Sequence, residues 1–145
     1  MVRSRFRGAD GFTLVELLVV ILIIGILAAI AVPAFLAQRT KAQDSLAKSA
    51  ASTAATAMLV YRTQHDDFSG AQPADLVKIE RSLANARNLA VTSDDDTFTV
   101  SVDSASAAGS AFSIERTEGG WLKRDCTQPG AGACGDALDA NGNRW

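Results

Sequence analysis

Histidine and cysteine are scarce in this chain of 145 residues, which contains one histidine and two cysteines. These numbers exclude a metal centre with four His or Cys ligands. Any Ser-His-Asp or Cys-His catalysis would have to use His65. Asp66 and Asp67 follow this histidine, but no nucleophile motif accompanies it, so we expect a solvated side chain. Phosphate-binding loops, nucleotide fingerprints and paired catalytic carboxylates are also missing, and we expect neither an enzyme nor a bound cofactor.

An excess of basic residues is missing as well, since 14 lysines and arginines stand against 16 aspartates and glutamates. The net charge of −2 argues against a strongly basic nucleic-acid-binding protein. We therefore expect no sequence-specific binding of nucleic acid. An acidic run formed by Asp94, Asp95 and Asp96 is interpreted as a solvated turn.

Charge is absent from residues 17–36. A helix of about twenty apolar residues spans about 30 Å, the thickness of the hydrocarbon core of a bilayer. The run is too long for an ordinary secretory signal, and no small-residue cleavage site follows it. Three preceding basic residues, Arg3, Arg5 and Arg7, favour a cytoplasmic N-terminus. We predict one membrane helix that stays in the mature protein, with the rest of the chain outside the cytoplasm.

Glu16 interrupts the wider apolar run of residues 12–37. A carboxylate near the end of a membrane span is costly unless it is paired or reaches the interface. One interpretation places Glu16 at the headgroup edge, where the dipole at the start of a helix favours an anion. The other interpretation is that Glu16 pairs with a positive charge that becomes available on assembly.

The sequence GFTLVELL at residues 11–18 resembles the processing motif of type IV pilins and of the related pseudopilins of type II secretion. The resemblance covers residues 3–36. It implies that a prepilin peptidase cuts between Gly11 and Phe12, and that the new amine of Phe12 is N-methylated. It also implies that Glu16 pairs with the Phe12 amine of a neighbouring subunit, and a buried carboxylate is tolerable only with such a partner.

Gly25 and Pro33 lie inside the apolar run. Proline removes a hydrogen bond from a helix, and glycine costs about 1 kcal/mol relative to alanine. Both residues are nevertheless common in membrane helices, which is the simpler interpretation. The family resemblance adds a second one, in which the segment between Gly25 and Pro33 loses helical structure inside the filament.

Residues 38–62 are more polar but keep a helical pattern, with apolar residues at three- and four-residue spacing. One helix is therefore predicted from Phe12 to about Gln64, with a second half that packs on a sheet. The predicted apolar face consists of Leu46, Ala47, Ala50, Ala54, Ala57, Met58 and Tyr61. The charged residues predicted to lie largely off this face are Arg39, Lys41, Asp44 and Lys48.

The remainder of the chain alternates turn signals with short apolar runs. A short helix is predicted to begin at Pro73. Strands are predicted at residues 97–102, 111–116 and 121–126, and a further strand can start at Leu89. The alternation of side chains predicts that Phe98, Val100 and Val102 of the first of these strands, and Phe112 and Ile114 of the second, point inward. This pattern predicts an α+β fold, in which an antiparallel sheet of about three to four strands packs on the amphipathic part of the long helix.

Cys126 and Cys134 flank a short glycine-containing segment. Two cysteines on the outer side of a membrane are expected to form a disulfide, which would stabilise a small domain by about 2–3 kcal/mol. Two free thiols are the alternative. The arrangement also looks like the C-terminal disulfide loop of type IV pilins, which the family places on the filament surface.

Asp139, Asn141 and Asn143 place oxygen-bearing side chains at alternate positions, a pattern that suits Ca²⁺. The segment departs from an EF-hand loop, because its glycine is misplaced and no glutamate follows. We expect no metal site and keep these residues as a weak candidate against a polar tail with an Asn-Gly turn. Trp145 either folds back onto the sheet or contacts a neighbouring subunit.

These predictions divide the chain into a leader at residues 1–11 that is removed, a membrane or filament-core helix at 12–37, its amphipathic continuation at 38–64 and a globular domain at 65–145. The resemblance implies a subunit that leaves the cytoplasmic membrane and polymerises into a type IV pilus on the cell surface, used for adhesion, motility or DNA uptake. Its implied partners are other copies of itself, the prepilin peptidase and the pilus assembly platform. The alternatives are a pseudopilin or minor pilin of a secretion or DNA-uptake machine, and a membrane-anchored enzyme or binding module.

Overall fold

A computed structural model describes residues 11–145, so the predicted leader lies outside the described residues apart from Gly11. The elements are, in chain order, α1 (Leu14–His65), α2 (Pro73–Ile79), a 3₁₀ helix (Arg81–Asn85), β1 (Ala90–Ser93), β2 (Phe98–Asp103), β3 (Ala111–Arg116) and β4 (Leu122–Cys126). This content confirms the predicted α+β class. The chain divides into two units, which we call the N-terminal unit (residues up to Leu36) and the head (Ala37–Trp145).

The N-terminal unit contains the first part of α1, which is exposed throughout residues 14–36. The helix begins slightly after the predicted start because the Thr13 hydroxyl accepts a hydrogen bond from the Glu16 N–H, at 3.2 Å. By length and composition α1 can cross a membrane, and no other helix of residues 11–145 can. It continues through Gly25 and Pro33 in the single chain. Loosening of this segment inside a filament stays a prediction.

The end of α1 lies at His65, close to the predicted end. Asp66 adopts a left-handed backbone conformation with a φ of 68°, which stops the helical hydrogen-bond pattern. Pro73 begins α2, as predicted, because its fixed φ and missing N–H suit a first helical turn. The Gln72 N–H donates to the Asp75 carboxylate at 3.2 Å and fixes this second start.

The four strands form one antiparallel sheet in the order β1-β2-β3-β4, which confirms the predicted sheet of three to four strands. β2 begins later than predicted, because the Asp94 N–H donates to the Thr97 carbonyl at 3.0 Å and closes the β1–β2 turn. β4 also begins later than predicted, because the Thr117 N–H donates to the Trp121 carbonyl at 3.0 Å. Thr97 and Trp121, which were predicted to begin strands, therefore belong to turns.

The core lies between the inner face of the sheet and the part of α1 that belongs to the head. Alternate residues of β2 and β3 point inward as predicted, with Val100 opposite Ile114 and Val102 opposite Phe112. The helix contributes mostly alanines to this core, and the buried ones are Ala47, Ala51, Ala54, Ala55 and Ala57. The most deeply buried apolar side chains are Ala51, Ala54, Met58, Phe68, Leu76, Leu83, Phe98, Val100, Val102, Phe112 and Ile114.

The predictions for Leu46 and Asp44 on the helix face are wrong. Leu46, expected inside, is 72% exposed, whereas Asp44, expected outside, is fully buried. The buried stripe runs through Ala47, Ala51 and Ala54, and Asp44 continues it at the next three-residue step toward the N-terminus. Leu46 lies to one side of this stripe. The hydrophobicity of Leu46 led to the wrong prediction of the buried face, because the buried stripe is continued by a carboxylate that forms hydrogen bonds to Ser104 and Ala133.

Candidate functional site

The N-terminal motif of residues 11–16 lies at the exposed start of α1. Phe12 is 80% exposed, and a side chain at Gly11 would meet no atom within 4 Å. The Thr13 hydroxyl donates to Glu16 Oε2 at 3.2 Å, in addition to accepting from the Glu16 N–H. The carboxylate therefore lies in the first helical turn, where the dipole favours an anion. This position of Glu16 agrees with both interpretations of the residue, and both stay predictions.

The same motif combines an exposed peptide bond with an acidic side chain. The peptide bond between Gly11 and Phe12 precedes the helix and is exposed, so the helix does not protect it from a peptidase. Cleavage there would create a cationic amine four residues before Glu16. An amine and a carboxylate attract each other much more strongly in an apolar surrounding than in water. Pairing of Glu16 with the amine of a neighbouring Phe12 stays a prediction.

A second polar cluster lies in the head, and sequence analysis missed it. Asp44 of α1 accepts a hydrogen bond from the Ser104 hydroxyl at 2.6 Å and another from the Ala133 N–H at 2.8 Å. Lys48 lies one helical turn later and donates from Nζ to the Ala133 carbonyl at 2.7 Å. Both backbone groups of Ala133 are therefore bound by α1. The prediction that Asp44 and Lys48 lie off the packed face is wrong.

Burial and hydrogen bonding act in opposite directions on Asp44. Burial raises the pKa of this carboxyl, but hydrogen bonds from Ser104 and from the Ala133 N–H, together with the Lys48 charge, hold the pKa below its ordinary value. Burial also lowers the pKa of Lys48, against the opposing effect of the Asp44 charge. The Asp44 carboxyl is accordingly ionised at neutral pH and accepts its hydrogen bonds in the stronger, charged form.

Aromatic rings complete the surroundings of Lys48. Its Nζ lies 5.2 Å from the ring centroid of Phe112 and 5.6 Å from that of Trp145, within the range of cation–π attraction. Trp145 packs edge-to-face on Phe112 at 5.9 Å and donates from Nε1 to the Asp125 carbonyl at 2.7 Å. Of the two predictions for Trp145, the structure agrees with the one in which the residue folds back onto the sheet.

The C-terminal loop is held by a disulfide between Cys126 and Cys134, whose Cα atoms are 5.8 Å apart. Both cysteines are buried, and Cys126 ends β4. Gly132 has a φ of 61°, and a Cβ added there would collide with Asp44 Oδ2. A glycine is therefore required where the loop approaches α1. The loop is tied to the head by a covalent bond and by the pair formed by Asp44 and Lys48.

The weak metal candidate forms a hydrogen-bonded turn. Asp139 Oδ1 accepts from the backbone N–H groups of Asn141 and Asn143, each at 2.8 Å. The side-chain oxygen of Asn143 accepts a hydrogen bond from the backbone N–H of Arg124 at 2.9 Å. The hydrogen bond from the Asn143 backbone is the main reason that the pKa of Asp139 lies below its ordinary value. Residues 11–145 hold no group of three or more His, Cys, Asp or Glu arranged for a metal.

The remaining candidates have structural contacts. His65 stacks on Tyr61 with ring centroids 4.2 Å apart, and it remains exposed at the end of α1. Asp95 accepts from the Ser69 hydroxyl at 2.6 Å, and Asp96 forms an ion pair with Arg62 at 3.1 Å. The acidic run is thus a turn, as predicted, but two of its carboxylates connect the β1–β2 turn to the segment around the end of α1.

Comparison with known proteins adds to this geometry. The prokaryotic N-terminal methylation motif matches residues 6–32, a range that includes Gly11, Phe12 and Glu16. The type IV narrow pilus major component PilA5 of Thermus thermophilus is 35% identical over 108 residues, which are 74% of this chain and 88% of the relative. The chain belongs to the type IV pilin family. The resemblance seen in residues 3–36 is thereby confirmed.

Two further relatives match this pilin mainly over part of their length. The type IV wide pilus major component PilA4 of Thermus thermophilus is 40% identical over 68 residues, 47% of this pilin and 52% of the relative. The type IV major pilin protein PilA of Myxococcus xanthus is 42% identical over 67 residues, 46% of this pilin and 30% of the relative. This pilin therefore spans about half or less of these two proteins.

Proposed function

We propose that this pilin is a structural subunit that polymerises into a type IV pilus filament on the cell surface. The observation that carries the proposal is the processing motif directly before a helix whose apolar side chains are uncovered throughout residues 14–36. Such a surface must be covered by lipid or by other protein chains, because water contact costs about 25 cal/mol for each Å² of apolar area. The relatives named as major pilus components support cover by other protein chains.

Processing is the first step of the proposal. A prepilin peptidase cuts between Gly11 and Phe12, and the new amine of Phe12 is methylated. The methylation motif at residues 6–32 and the exposure of both residues support this step. Cleavage also removes Arg3, Arg5 and Arg7, whose charges would hold the N-terminus on the cytoplasmic side of the membrane.

Membrane residence and transfer form the second step. The apolar part of α1 holds the subunit in the cytoplasmic membrane as a single pass with its N-terminus inside. An assembly platform then extracts the subunit. Each helix then replaces its contacts with lipid by contacts with other helices. This replacement costs little free energy because lipid and helix bundle are equally apolar surroundings. The heads remain in water around the helical bundle.

The axial alignment of neighbouring subunits is the third step. The Phe12 amine of one subunit pairs with the Glu16 carboxylate of a neighbour. A misaligned subunit would leave both charges unpaired in an apolar bundle, which is strongly unfavourable. Thr13 Oγ1 donates to Glu16 Oε2 at 3.2 Å in the first turn of α1, and this position of the carboxylate near Phe12 supports the contact.

The experiment that tests the proposal is the intact mass of this protein in filaments sheared from native cells. We expect a chain that starts at Phe12, carries one added methyl group and lacks two hydrogens because of the disulfide. Gly11→Ala is the matched variant and should leave the leader attached. The processing motif has a glycine directly before the cleaved bond, and this substitution removes it. A full-length chain confined to the membrane of wild-type cells would overturn the proposal, and a cleaved Gly11→Ala protein would contradict the processing step.

A further inference from the structure

The two cysteines of the disulfide are held by different parts of the head. Cys126 is the last residue of β4 and lies opposite Phe112 in the sheet. The Thr127 N–H donates to the Ala111 carbonyl at 3.1 Å, and the Thr127 hydroxyl accepts from the Ala111 N–H at 2.9 Å. The sheet therefore fixes Cys126 and the residue after it.

Cys134 belongs to no helix or strand. Its N–H donates to the Ala131 carbonyl at 3.0 Å, and its carbonyl accepts from the Gly130 N–H at 3.2 Å. The next residue, Gly135, donates to the carbonyl of Arg144 in the C-terminal tail at 2.9 Å. These bonds join Cys134 to the loop and to the tail, and neither segment is part of a helix or strand.

The direct connection between this part of the loop and a helix is made by Asp44 and Lys48, which we call the α1 pair. Asp44 Oδ2 accepts from the Ala133 N–H at 2.8 Å, and Lys48 Nζ donates to the Ala133 carbonyl at 2.7 Å. Ala133 directly precedes Cys134, so these two bonds fix the backbone one residue before the sulfur. Gly132 permits the approach, since a Cβ there would collide with Asp44.

The rest of the head holds the α1 pair in place. Asp44 Oδ1 accepts from the Ser104 hydroxyl at 2.6 Å, in the segment that follows β2. Lys48 Nζ lies 5.2 Å from the ring centroid of Phe112 in β3. Both bonds to Ala133 involve a charged group, and such bonds are about twice as strong as bonds between neutral groups. The α1 pair thus offers the loop a strong attachment that requires no covalent bond.

We propose that the α1 pair positions Cys134 beside Cys126 and thereby favours formation of the disulfide. In the reduced chain, the bonds to Ala133 restrict the loop to conformations in which the two cysteines are close. This restriction raises the effective concentration of one thiol at the other, because less loop entropy is lost when the ring closes. The inference concerns a single head and does not depend on polymerisation. Asp44 and Lys48 are positioning residues and take no part in the sulfur chemistry.

The oxidant is a molecule that itself carries a disulfide, and oxidised glutathione is the probe. One cysteine thiolate attacks a glutathione sulfur, which forms a mixed disulfide and releases one glutathione thiolate. The other cysteine thiolate then attacks the protein sulfur of the mixed disulfide and releases the second glutathione. The two cysteines give up two electrons, and their two protons pass to the released glutathione thiolates. The α1 pair acts on the second attack, in which the two cysteines must meet.

The oxidation equilibrium tests the inference. The full-length protein in detergent is equilibrated in buffers with different ratios of reduced to oxidised glutathione, and its free thiols are then trapped with an alkylating agent and counted by intact mass. Asp44→Ala should lower the effective concentration of the two thiols by about tenfold. Lys48→Met removes only one of the two bonds to Ala133 and should lower it several-fold. Lys41→Ala changes an exposed residue one turn before Asp44 and should leave it unchanged.

A general loss of stability needs its own control. Leu76→Val removes a methylene group from a fully buried side chain of α2, outside both the loop and the α1 pair. It should destabilise the oxidised and reduced heads alike and leave the oxidation equilibrium as in the wild type. An unchanged equilibrium in Asp44→Ala, or an equal decrease in Leu76→Val, would overturn the inference.

The reciprocal measurement uses unfolding in denaturant. If the α1 pair favours the disulfide, the disulfide must strengthen the bonds of the α1 pair by the same factor. Asp44→Ala should therefore raise the unfolding equilibrium constant about tenfold less in a chain with both Cys126→Ser and Cys134→Ser than in the wild type. Equal effects of Asp44→Ala in the two chains would show that the sites are independent and would overturn the inference.

Discussion

The two parts of α1 differ in whether their apolar side chains are exposed or buried. The N-terminal unit carries large aliphatic residues that no described residue buries, whereas the part of α1 in the head contributes mostly alanines that are buried in the core. The large side chains suit a partner supplied from outside, lipid or another helix, with no fixed shape in the single chain. The small alanine side chains suit a partner fixed by the fold, namely the buried side chains of the head.

The strongest test of this comparison removes the charge at the start of α1. Glu16→Ala should reduce the yield of sheared filaments by about tenfold or more, because it leaves the Phe12 amine without its carboxylate in an apolar bundle. The head should be unaffected, so tryptophan fluorescence of the detergent-solubilised protein should give the wild-type unfolding midpoint. A normal filament yield would remove the pairing role of Glu16.

The matching test in the head removes a buried charge. Asp44→Ala should lower the free energy of unfolding by about 3 kcal/mol, because it leaves the Ser104 hydroxyl and the Ala133 N–H without their acceptor. Denaturant unfolding followed by tryptophan fluorescence measures this loss. Lys41→Ala, an exposed position one turn earlier, is the control and should change stability by less than about 0.5 kcal/mol. Equal effects of both variants would show that the buried contacts contribute nothing.

The disulfide should matter slightly less. Replacing both Cys126 and Cys134 by serine should lower the free energy of unfolding by about 2–3 kcal/mol, because the unfolded chain regains the freedom of the loop. Wild-type protein treated with reductant should unfold at the same denaturant concentration as this double variant. Unchanged unfolding midpoints in both samples would contradict a stabilising disulfide.

Substitution of Gly132 distinguishes the cost of an unfavourable backbone conformation from the cost of a collision with Asp44. Gly132→Ala should cost about 2–3 kcal/mol, since it adds a collision with Asp44 to an unfavourable positive φ. Gly142→Ala has the same type of backbone conformation in open space and should cost about 1 kcal/mol. Unfolding of the two variants under identical conditions gives the comparison. Equal losses would indicate that the contact with Asp44 is not tight.

Acid sensitivity gives the smallest expected effect. The folded-state pKa of Asp44 lies below its ordinary value of 3.8, so its stabilising contribution is present above that value and is lost as the pH falls through the folded-state pKa. Asp44→Asn cannot lose a charge and should show a weaker dependence of stability on pH in this acid range. Unfolding measured from pH 5 downward tests it, and parallel pH profiles for both proteins would contradict the assignment.

Local patterns were sufficient for most elements. The alternation in β2 and β3 predicted their inward residues, and Pro73 predicted the start of α2, because these features depend on neighbouring residues alone. The family motif around Gly11 and Glu16 was likewise contained in a short segment. Its pairing chemistry stays a prediction, since it concerns contacts between subunits.

Long-range polar contacts were invisible in the sequence. Asp44 binds Ser104 and Ala133, which are 60 and 89 positions away, and no local rule connects residues so distant. Helical periodicity favoured Leu46 for the core because it ranked side chains by hydrophobicity alone. The available signal was the spacing of Asp44 and Lys48, which places an acid and a base on one helical face.

The Ala133 contact has a mechanical consequence. In the proposed filament, tension on a subunit would enter the head along the covalent chain of α1. Within two or three helical turns it meets Asp44 and Lys48, whose hydrogen bonds pass part of the force to Ala133. That residue belongs to a loop closed by the bond between Cys126 and Cys134, so the force enters β4 through a covalent ring. A pull on this part of α1 would thus be shared with β4, the edge strand of the sheet.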